Sequence, residues 1–199
     1  MELVFYKNPF IWKHQLLEIT SVENEKLTKQ AIEQFKKPKE GSGGFNINLN
    51  SSPETKKLFF LFEDICKKLF NNITSQKLKP GNIVSAYVQN KDKYDSVWHN
   101  HVNHCTVNGV YYSSVPDNTG TLSIIDGGGI EKEILVEENY IYLFPGWMLH
   151  KPNPQKNSLQ YRVSLNLEWL CFTRPILKSE LFTKEEYESL SINKSLIVW

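Results

Sequence analysis

The sequence contains few cysteines, almost no net charge and no long hydrophobic run. Its three cysteines, Cys66, Cys105 and Cys171, are far apart and include no CxxC pair, which argues against a secreted disulfide scaffold and against a structural zinc site. The 23 basic residues nearly balance the 22 acidic ones, so no overall field attracts nucleic acid or an anionic membrane. The N-terminus lacks the pattern of a signal peptide, and no stretch is long and apolar enough to span a membrane. We expect a soluble, cytoplasmic protein without a membrane or nucleic-acid partner.

Length and composition favour a single domain. A chain of 199 residues with 40% hydrophobic and 13% aromatic residues can bury an ordinary core without disulfides. The glycine-rich segment over 40–44 is too short to link two domains. We therefore expect one domain over 1–199, with a helical support region over 1–80, a β-rich core over 81–170 and an extension over 171–199.

The hydrophobic period changes along the chain from helical to extended. Apolar residues at helical spacing predict one helix over 22–37 and a second over 53–71, whose start from Ser51 to Glu54 has the form of a capping box. Beyond Gly81 the period shortens to about two. The further elements that this pattern and the chain ends predict are strands over 3–12, 83–89, 96–101, 107–115, 120–125, 133–137, 140–144 and 159–170 and a small helix over 179–191. Helices followed by several short strands favour a sandwich, jelly roll or barrel.

The histidines are concentrated in two short segments. Three of the five occur in WHNHVNH over 98–104, and His150 ends FPGWMLH over 144–150. On a strand, His99 and His101 would point to the same side, so a single metal ion could contact both imidazoles. A histidine-rich surface loop explains the same short pattern, and the motif alone does not decide between the two.

Arginine is rare in this chain, which has only Arg162 and Arg174. Arg162 opens a segment in which polar and apolar residues alternate strictly. The polar residues of this segment are Arg162, Ser164, Asn166 and Glu168. An arginine with a serine two residues later offers the planar fork and the hydroxyl that hold a carboxylate. A half-exposed strand with its polar face in water explains the alternation equally well.

Five motifs, taken in chain order, resemble those of the Fe(II)- and 2-oxoglutarate-dependent oxygenases. They are HNH at 99–101, GVYY at 109–112, GTLSIID at 120–126, FPGWMLH at 144–150 and RVS at 162–164. The resemblance covers about residues 83–169 and points in particular to oxygenases of bacteria and phages that are related to prolyl hydroxylases. It implies a mainly β fold with flanking α, in which N-terminal helices support a double-stranded β-helix (a cupin-like jelly roll). For a phage-encoded chain, the expected location is the host cytoplasm.

The resemblance also implies roles for individual residues. His99, His101 and His150 would be the metal ligands, and Arg162 would bind the far carboxylate of 2-oxoglutarate, so these four form the expected catalytic set. The residues expected to assist Arg162 or to line the same pocket are Ser164, Tyr112 and Tyr87. The aromatic residues that could form walls near the mouth, or belong to the core, are Trp98, Trp147 and Tyr111.

One ligand departs from the common pattern of the family. His101 occupies the position where most of these oxygenases have an aspartate or glutamate, and a neutral imidazole there leaves one more positive charge on the site. Nitrogen ligands also suit zinc, copper and nickel, so iron is expected but is not the only metal that fits. Asp95 or Asp126 could also reach the metal, or His104 could replace His101 as the third ligand.

The activity that the resemblance implies is hydroxylation with Fe(II), 2-oxoglutarate and O2, which yields succinate and CO2 as co-products. The substrate would be a protein side chain such as proline, a small molecule or a nucleobase. Two other classes stay open, namely a cupin-like metalloprotein with three histidine ligands and no 2-oxoglutarate, and a metal-free binding module. Arg162 with Ser164 separates the oxygenase from the cupin-like protein, because only the oxygenase needs a carboxylate-binding group there. No sequence feature indicates the oligomeric state.

Overall fold

The computed structural model describes residues 2–3, 11–37, 46–48, 52–69, 85–94, 96–102, 105–116, 120–126, 128–156 and 158–169. These residues contain two helices, α1 (Ser21–Lys36) and α2 (Pro53–Leu69). Their strands are β1 (Glu2–Leu3), β2 (Trp12–Gln15), β3 (Asn46–Asn48), β4 (Ser85–Gln89), β5 (Val107–Ser114), β6 (Thr121–Ile125), β7 (Glu131–Leu135), β8 (Tyr140–Pro145), β9 (His150–Pro152) and β10 (Arg162–Trp169). Neither α1 nor α2 is long and apolar enough to cross a membrane.

The strands form two antiparallel sheets that face each other. The larger sheet has the order β1-β2-β8-β5-β10-β4-β3, and the smaller sheet has the order β7-β6-β9. At the centre of the larger sheet, neighbouring strands are distant in the chain, since β5 pairs with both β8 and β10. One hydrophobic cluster combines residues of both sheets, Val110, Tyr112 and Tyr142 from the larger and Leu122 and Ile124 from the smaller. This arrangement is a double-stranded β-helix of the cupin-like, jelly-roll type, and the predicted fold class is confirmed.

Alternate residues of the central strands bury the larger sheet on both of its faces. In β5, Val107 and Tyr111 belong to the cluster under the helices, whereas Val110 and Tyr112 belong to the cluster between the sheets. The same alternation continues in β8. Because α1 and α2 supply the other side of the helix-facing cluster, the helices support the outer face of this sheet, as expected.

A capping box and two ion pairs orient the helices. At the start of α1, Thr20 Oγ1 accepts a hydrogen bond from the Glu23 N–H at 3.3 Å, and Glu23 Oε2 accepts one from the Thr20 N–H at 2.9 Å. Lys57 of α2 donates to both oxygens of Glu23 at 2.8 and 2.9 Å. Lys26 of α1 pairs with Glu54 of α2 at 3.0 Å. Because such partly exposed pairs contribute little free energy, they mainly fix how one helix lies against the other.

The capping box of α2 lies one residue later than predicted. Ser52 Oγ accepts a hydrogen bond from the Thr55 N–H at 3.2 Å, and Thr55 Oγ1 accepts one from the Ser52 N–H at 2.8 Å. Ser51, the predicted cap, is outside the described residues. Thr55 fills the role that sequence rules give to a glutamate or glutamine, which explains why the pattern pointed to Glu54.

Several strand predictions differ from the structure. The segment 96–101 is not a strand, because it leaves the larger sheet after β4, meets the smaller sheet at a single bridge between His99 and His150, and returns at β5. The first predicted strand corresponds to two antiparallel strands, β1 and β2, and its residues 4–10 lie outside the described residues. Strand β9 is too short for its pattern to show. Strands β7 and β10 begin at Glu131 and Arg162 rather than at 133 and 159. The predicted helix over 179–191 lies outside the described residues.

Gly109 of β5 provides the space that Phe62 of α2 occupies. A Cβ at position 109 would lie 2.6 and 2.9 Å from two ring atoms of Phe62, so either α2 or the ring would have to move. We expect Gly109→Ala to lower the free energy of unfolding by about 1–3 kcal/mol, measured by urea denaturation. Phe62→Leu should cost less in the Gly109→Ala background than in the wild type. If the loss of unfolding free energy in the double variant equals the sum of the losses in the two single variants, the contact between position 109 and Phe62 is contradicted.

Candidate functional site

Three histidines from distant parts of the chain come together at one place. His99 and His101 belong to the connection between β4 and β5, and His150 is the first residue of β9. Their ring centroids are 4.3 to 5.3 Å apart, and one potential ligand atom of each lies within 4.8 Å of the others. Atoms this close could all bind one metal ion, since a bond from zinc to an imidazole nitrogen, for example, is about 2.0–2.1 Å long.

Backbone hydrogen bonds fix the positions of these residues. The His99 N–H donates to His150 O at 3.0 Å, and the His150 N–H donates to His99 O at 2.9 Å. The His101 N–H donates to Gly146 O at 2.7 Å. The connection between β4 and β5 is therefore held against the segment between β8 and β9, and this contact brings the histidines together.

A hydrogen bond at Nδ1 orients each imidazole. The pairs are His99 with Val97 O at 2.9 Å, His150 with Met148 O at 2.9 Å and His101 with Glu168 Oε1 at 2.8 Å. Because carbonyl and carboxylate oxygens accept hydrogen bonds, these contacts favour the tautomer in which Nδ1 has the proton. Nε2 then has the lone pair that a metal ion requires.

His150 is neutral at physiological pH. Its side chain is 3% exposed, and burial, together with the nearby His99 and His101, lowers its pKa to about 3. The hydrogen bond with Met148 O acts in the opposite direction without reversing the shift. Neutral imidazole binds a metal ion without first releasing a proton, so the environment of His150 suits a ligand.

A cavity between the sheets extends inward from the histidines. The other lining residues are Tyr87, Val110, Tyr112, Ser164 and Asn166 of the larger sheet and Leu122 and Pro152 of the smaller sheet. The wall is mainly apolar and aromatic, with hydroxyl groups at Tyr87, Tyr112 and Ser164. Burial raises the pKa of Tyr112 to about 12, so this phenol keeps its proton and can donate a hydrogen bond.

Arg162, the first residue of β10, is buried beside this cavity. Its side chain is 1% exposed, and Ser164, two residues later on the same strand face, lines the cavity. Burial lowers the pKa of Arg162, and the neighbouring Tyr112 and Tyr87 act in the opposite direction. Arg162 itself is not among the residues that line the cavity, whereas these two tyrosines and Ser164 are.

The guanidinium of Arg162 has hydrogen-bond partners, but among the residues that the structure describes it has no counter-charge. Nη1 donates to Thr121 O at 3.3 Å, and Nη2 donates to Asn153 O. Both acceptors are neutral carbonyls, and within the described ranges no carboxylate forms an ion pair with Arg162. A buried cation is costly unless an anion neutralises it. The arrangement therefore suits an anionic group that enters the cavity.

The structure places the predicted site residues close together. Those that line the cavity are His99, His101, His150, Tyr87, Tyr112 and Ser164, and Arg162 lies beside it. Of the alternative ligands, Asp126 is outside the histidine cluster, and its Oδ1 accepts hydrogen bonds from Gly128 and Ile130 in the turn after β6. Asp95 and His104 lie outside the described residues.

Tyr111 does not line the cavity, and of the two alternatives for this residue, a wall or the core, the structure shows the core. It neighbours Tyr112 in β5 but points to the opposite face of the sheet, because successive side chains of a strand alternate. There its hydroxyl hydrogen-bonds to Asn24 Oδ1 at 2.7 Å and Asn139 Oδ1 at 2.8 Å. Tyr111 therefore links β5 to α1 behind the site.

Trp98 and Trp147, the other candidate walls, are not among the residues that line the cavity. The Lys151 ammonium lies 4.5 Å from the centre of the Trp98 ring, a cation–π geometry. Trp147 is 51% exposed. Trp98 immediately precedes His99 and Trp147 lies three residues before His150, but neither ring contributes to the cavity wall.

Glu168 is the site residue that sequence reasoning missed. It accepts the hydrogen bond from His101 Nδ1 and lies 67 positions away in the chain. The sequence indicates only that Glu168 lies on the polar face of the alternating strand β10, the face that also contains Arg162. That face predicts where Glu168 points but does not identify His101 as its partner.

Comparison with solved structures shows the fold. No protein-family model matches the sequence, and no curated protein matches it. The chain is similar to a prolyl-4-hydroxylase from Pseudomonas putida, with 12% identity, a TM-score of 0.56, and coverage of 83% of this chain and 90% of that one. It is similar to SnoK, a non-heme alpha-ketoglutarate-dependent carbocyclase from nogalamycin biosynthesis, with 10% identity, a TM-score of 0.56, and coverage of 85% and 83%.

A third similar structure is that of a full-length Neurospora crassa protein in complex with alpha-KG and 5-formyluracil. It has 12% identity and a TM-score of 0.51, with coverage of 94% of this chain and 83% of that one. The likeness extends over most of each chain, so it concerns the whole architecture and not an isolated sheet. At identities this low, it establishes that the chain has the fold of these proteins.

The low pKa of His150 predicts a pH-dependent stability for the metal-free protein. Below the ordinary value of 6.5, His150 takes up a proton in the unfolded chain but stays neutral in the folded one until the pH approaches about 3. The unfolded state is therefore favoured as the pH falls. We expect the free energy of unfolding to drop by about 1.4 kcal/mol per pH unit below 6.5, measured by urea denaturation between about pH 7 and 5.

His150→Gln is the matched variant for this measurement. It removes the titrating group, whereas His14, whose pKa burial also lowers, contributes to both proteins. The difference between the two pH profiles therefore isolates His150. If the free energy of unfolding falls equally with pH in the wild type and in His150→Gln, the low pKa of His150 is contradicted.

Proposed function

We propose that this chain is an Fe(II)- and 2-oxoglutarate-dependent oxygenase that hydroxylates a C–H bond. The observation that carries the proposal is the buried guanidinium of Arg162, which has no counter-charge among the described residues and lies beside a cavity that begins at three histidines. A carboxylate of 2-oxoglutarate would supply the missing anion. The likeness in fold to a prolyl-4-hydroxylase and to two proteins described with alpha-ketoglutarate supports this proposal.

The donors at the histidine cluster fit a divalent transition metal. Imidazole suits Fe(II), and three protein ligands leave coordination positions for a co-substrate and O2. We infer that His99, His101 and His150 hold the iron through Nε2, because Nδ1 of each ring is engaged in a hydrogen bond. The same donors also suit zinc, copper and nickel, so metal identity is part of the test.

The polar groups that line the cavity or lie beside it fit a carboxylate. The planar fork of Arg162 can bind two carboxylate oxygens in parallel. The hydroxyls of Ser164 and Tyr112 can donate further hydrogen bonds to the same group. Tyr87, which lines the same cavity, would contact the carbon chain of 2-oxoglutarate between its two ends.

The chemistry comes from the bound cofactors, and the chain supplies binding and orientation. When bound, Fe(II) and 2-oxoglutarate reduce O2, with release of succinate and CO2 and transfer of one oxygen atom to a C–H bond of the substrate. Arg162 holds the far carboxylate so that the other end of 2-oxoglutarate faces the histidines. Val110, Leu122 and Pro152 keep this part of the cavity apolar and so limit the access of water.

We propose a protein side chain such as proline, or a small molecule, as the substrate. The folds of a prolyl-4-hydroxylase and of the carbocyclase SnoK, both similar to this one, support these two classes. The balance of 23 basic against 22 acidic residues gives little reason to expect a nucleic acid.

A cupin-like metalloprotein with three histidine ligands and no 2-oxoglutarate is the second candidate. The observation that favours it is the metal-ligand cluster itself, which in the described residues contains histidines and no carboxylate. This candidate provides no anionic ligand that would neutralise the buried charge of Arg162. A titration with 2-oxoglutarate distinguishes the two.

Anaerobic titration of the Fe(II)-loaded protein with 2-oxoglutarate is the test. Chelation of Fe(II) by the keto acid gives a visible charge-transfer band whose growth reports affinity. We expect the band for the wild type and an affinity lower by about 30-fold or more in Arg162→Gln, because breaking a buried charge pair costs about 2–5 kcal/mol. The Fe(II) affinity of Arg162→Gln should stay that of the wild type.

Two serine variants provide a matched comparison in the same titration. Ser164→Ala removes a hydroxyl that lines the cavity, whereas Ser114→Ala removes one that donates to Tyr161 O at 3.0 Å outside the cavity lining. We expect a loss of about five- to tenfold in 2-oxoglutarate affinity for Ser164→Ala only. Bound iron without any band would favour the cupin-like protein, and no bound metal would favour a binding module.

Gly120 leaves the space that the Arg162 side chain fills. A Cβ at position 120 would lie 2.9 Å from both Cδ and Nη1 of Arg162. We expect Gly120→Ala to displace the guanidinium and to weaken 2-oxoglutarate binding by about tenfold, measured by calorimetric titration, with no change in Fe(II) affinity. Gly128→Ala, where a Cβ would meet the flexible Asp126 carboxylate at 3.2 Å, is the control. Equal affinities for Gly120→Ala and the wild type would refute this role.

A further inference from the structure

The three histidines of the cluster have unequal partners at Nδ1. His99 and His150 each hydrogen-bond to a backbone carbonyl two positions earlier, that of Val97 and that of Met148, both at 2.9 Å. His101 instead hydrogen-bonds to a carboxylate oxygen of Glu168 at 2.8 Å. His101, which stands where a metal-binding carboxylate would be expected, therefore has an anionic partner at Nδ1.

The position of Glu168 is well defined. It lies near the end of β10, which pairs with β5 up to Trp169. The Asn166 side-chain amide donates to the same Glu168 oxygen at 3.2 Å, so this oxygen accepts from both Asn166 and His101. The side chains of His101 and Glu168 are only 16% and 33% exposed, which limits the screening of their interaction by water.

Glu168 would lie outside the coordination sphere of a metal ion held by the three histidines. Its carboxylate meets His101 at Nδ1, whereas the metal would bind Nε2 on the other side of the ring. A carboxylate at Nδ1 fixes the orientation of the imidazole and makes it a more basic, more strongly donating ligand. It also brings one negative charge near a metal that three neutral ligands leave uncompensated.

We propose that Glu168 is a positioning residue that acts through His101 in place of the absent metal-bound carboxylate, strengthening metal binding and stabilising the more oxidised state of the iron. The proposal rests on the proposed function, since it requires the histidine cluster to hold a metal. It assigns a role in the site to a residue that no motif singled out. It also explains how a cluster of three neutral ligands can serve a metal whose charge rises during oxidation.

The competing explanation is a purely structural link between β10 and the connection that contains His101. Glu168→Gln separates the two, because the amide oxygen can still accept the hydrogen bond from Nδ1 while the charge is lost. Glu63→Gln is the matched control. Glu63 lies on α2 and pairs with Lys67 at 2.9 Å, so this variant loses the same charge on the far side of the larger sheet.

The experiment measures the affinities of the full-length apoprotein variants for Co(II), Zn(II) and Fe(II) by competition with a chromophoric chelator. The Fe(III)/Fe(II) midpoint potential and the unfolding temperature of the apoprotein are measured beside them. We expect Glu168→Gln to lower metal affinity by about 10- to 100-fold and to raise the midpoint potential, while its unfolding temperature stays near that of the wild type. Glu63→Gln should match the wild type in affinity and potential.

The outcomes distinguish this inference from the function on which it rests. If the wild type binds metal and gives the 2-oxoglutarate band, but Glu168→Gln has the same affinity and potential, the inference is wrong and the proposed function stands. If Glu168→Gln changes only the unfolding temperature, the link is structural and the inference is again wrong. If the wild type binds none of the three metals, both the inference about Glu168 and the proposed function are wrong.

Discussion

Burying the charge of Arg162 between two sheets is the constraint on which the rest of the site depends. The carbonyls of Thr121 and Asn153, which accept its hydrogen bonds, belong to β6 and to the segment after β9, so the guanidinium also links β10 of the larger sheet to the smaller sheet. Gly120 leaves room for this side chain. The carbonyl dipoles offset part of the desolvation cost but neutralise no charge. A ligand carboxylate therefore meets a donor that the fold has already oriented.

Strand β10 connects the two ends of the site. Its polar face has Arg162 at one end and Glu168 at the other, while its apolar face lies in the core under the helices. The strand pairs with β4 on one side and β5 on the other, so its backbone has little freedom to shift. Six residues at a rise of about 3.4 Å each separate the two groups by roughly 20 Å. The distance between Arg162 and the partner of His101 is thus a property of one rigid strand.

The parts of this structure that could be predicted are those with one polar and one apolar face. Strict alternation in β10 permits a single register, and it placed Arg162 and Ser164 on one side correctly. Strand β5 is buried on both faces, so its pattern does not tell that Tyr112 faces the site and Tyr111 the helices. Strand pairing also needs a neighbour, and the segment 96–101, predicted as a strand, has one only at the bridge of His99. The partner of His101 depends on topology, which no local pattern contains.

The charges of the proposed site can be counted from these residues. Three neutral histidines leave the two positive charges of Fe(II), and Arg162 adds a third. 2-Oxoglutarate would bring two negative charges and Glu168 the third, so the charges of these groups, counted over the described residues, sum to zero. A carboxylate ligand in place of His101 would contribute the same charge directly, whereas Glu168 contributes it across one imidazole ring. Because uncompensated charge is costly between two apolar sheets, the metal and the co-substrate should each favour the binding of the other, and by linkage the coupling is equal in both directions.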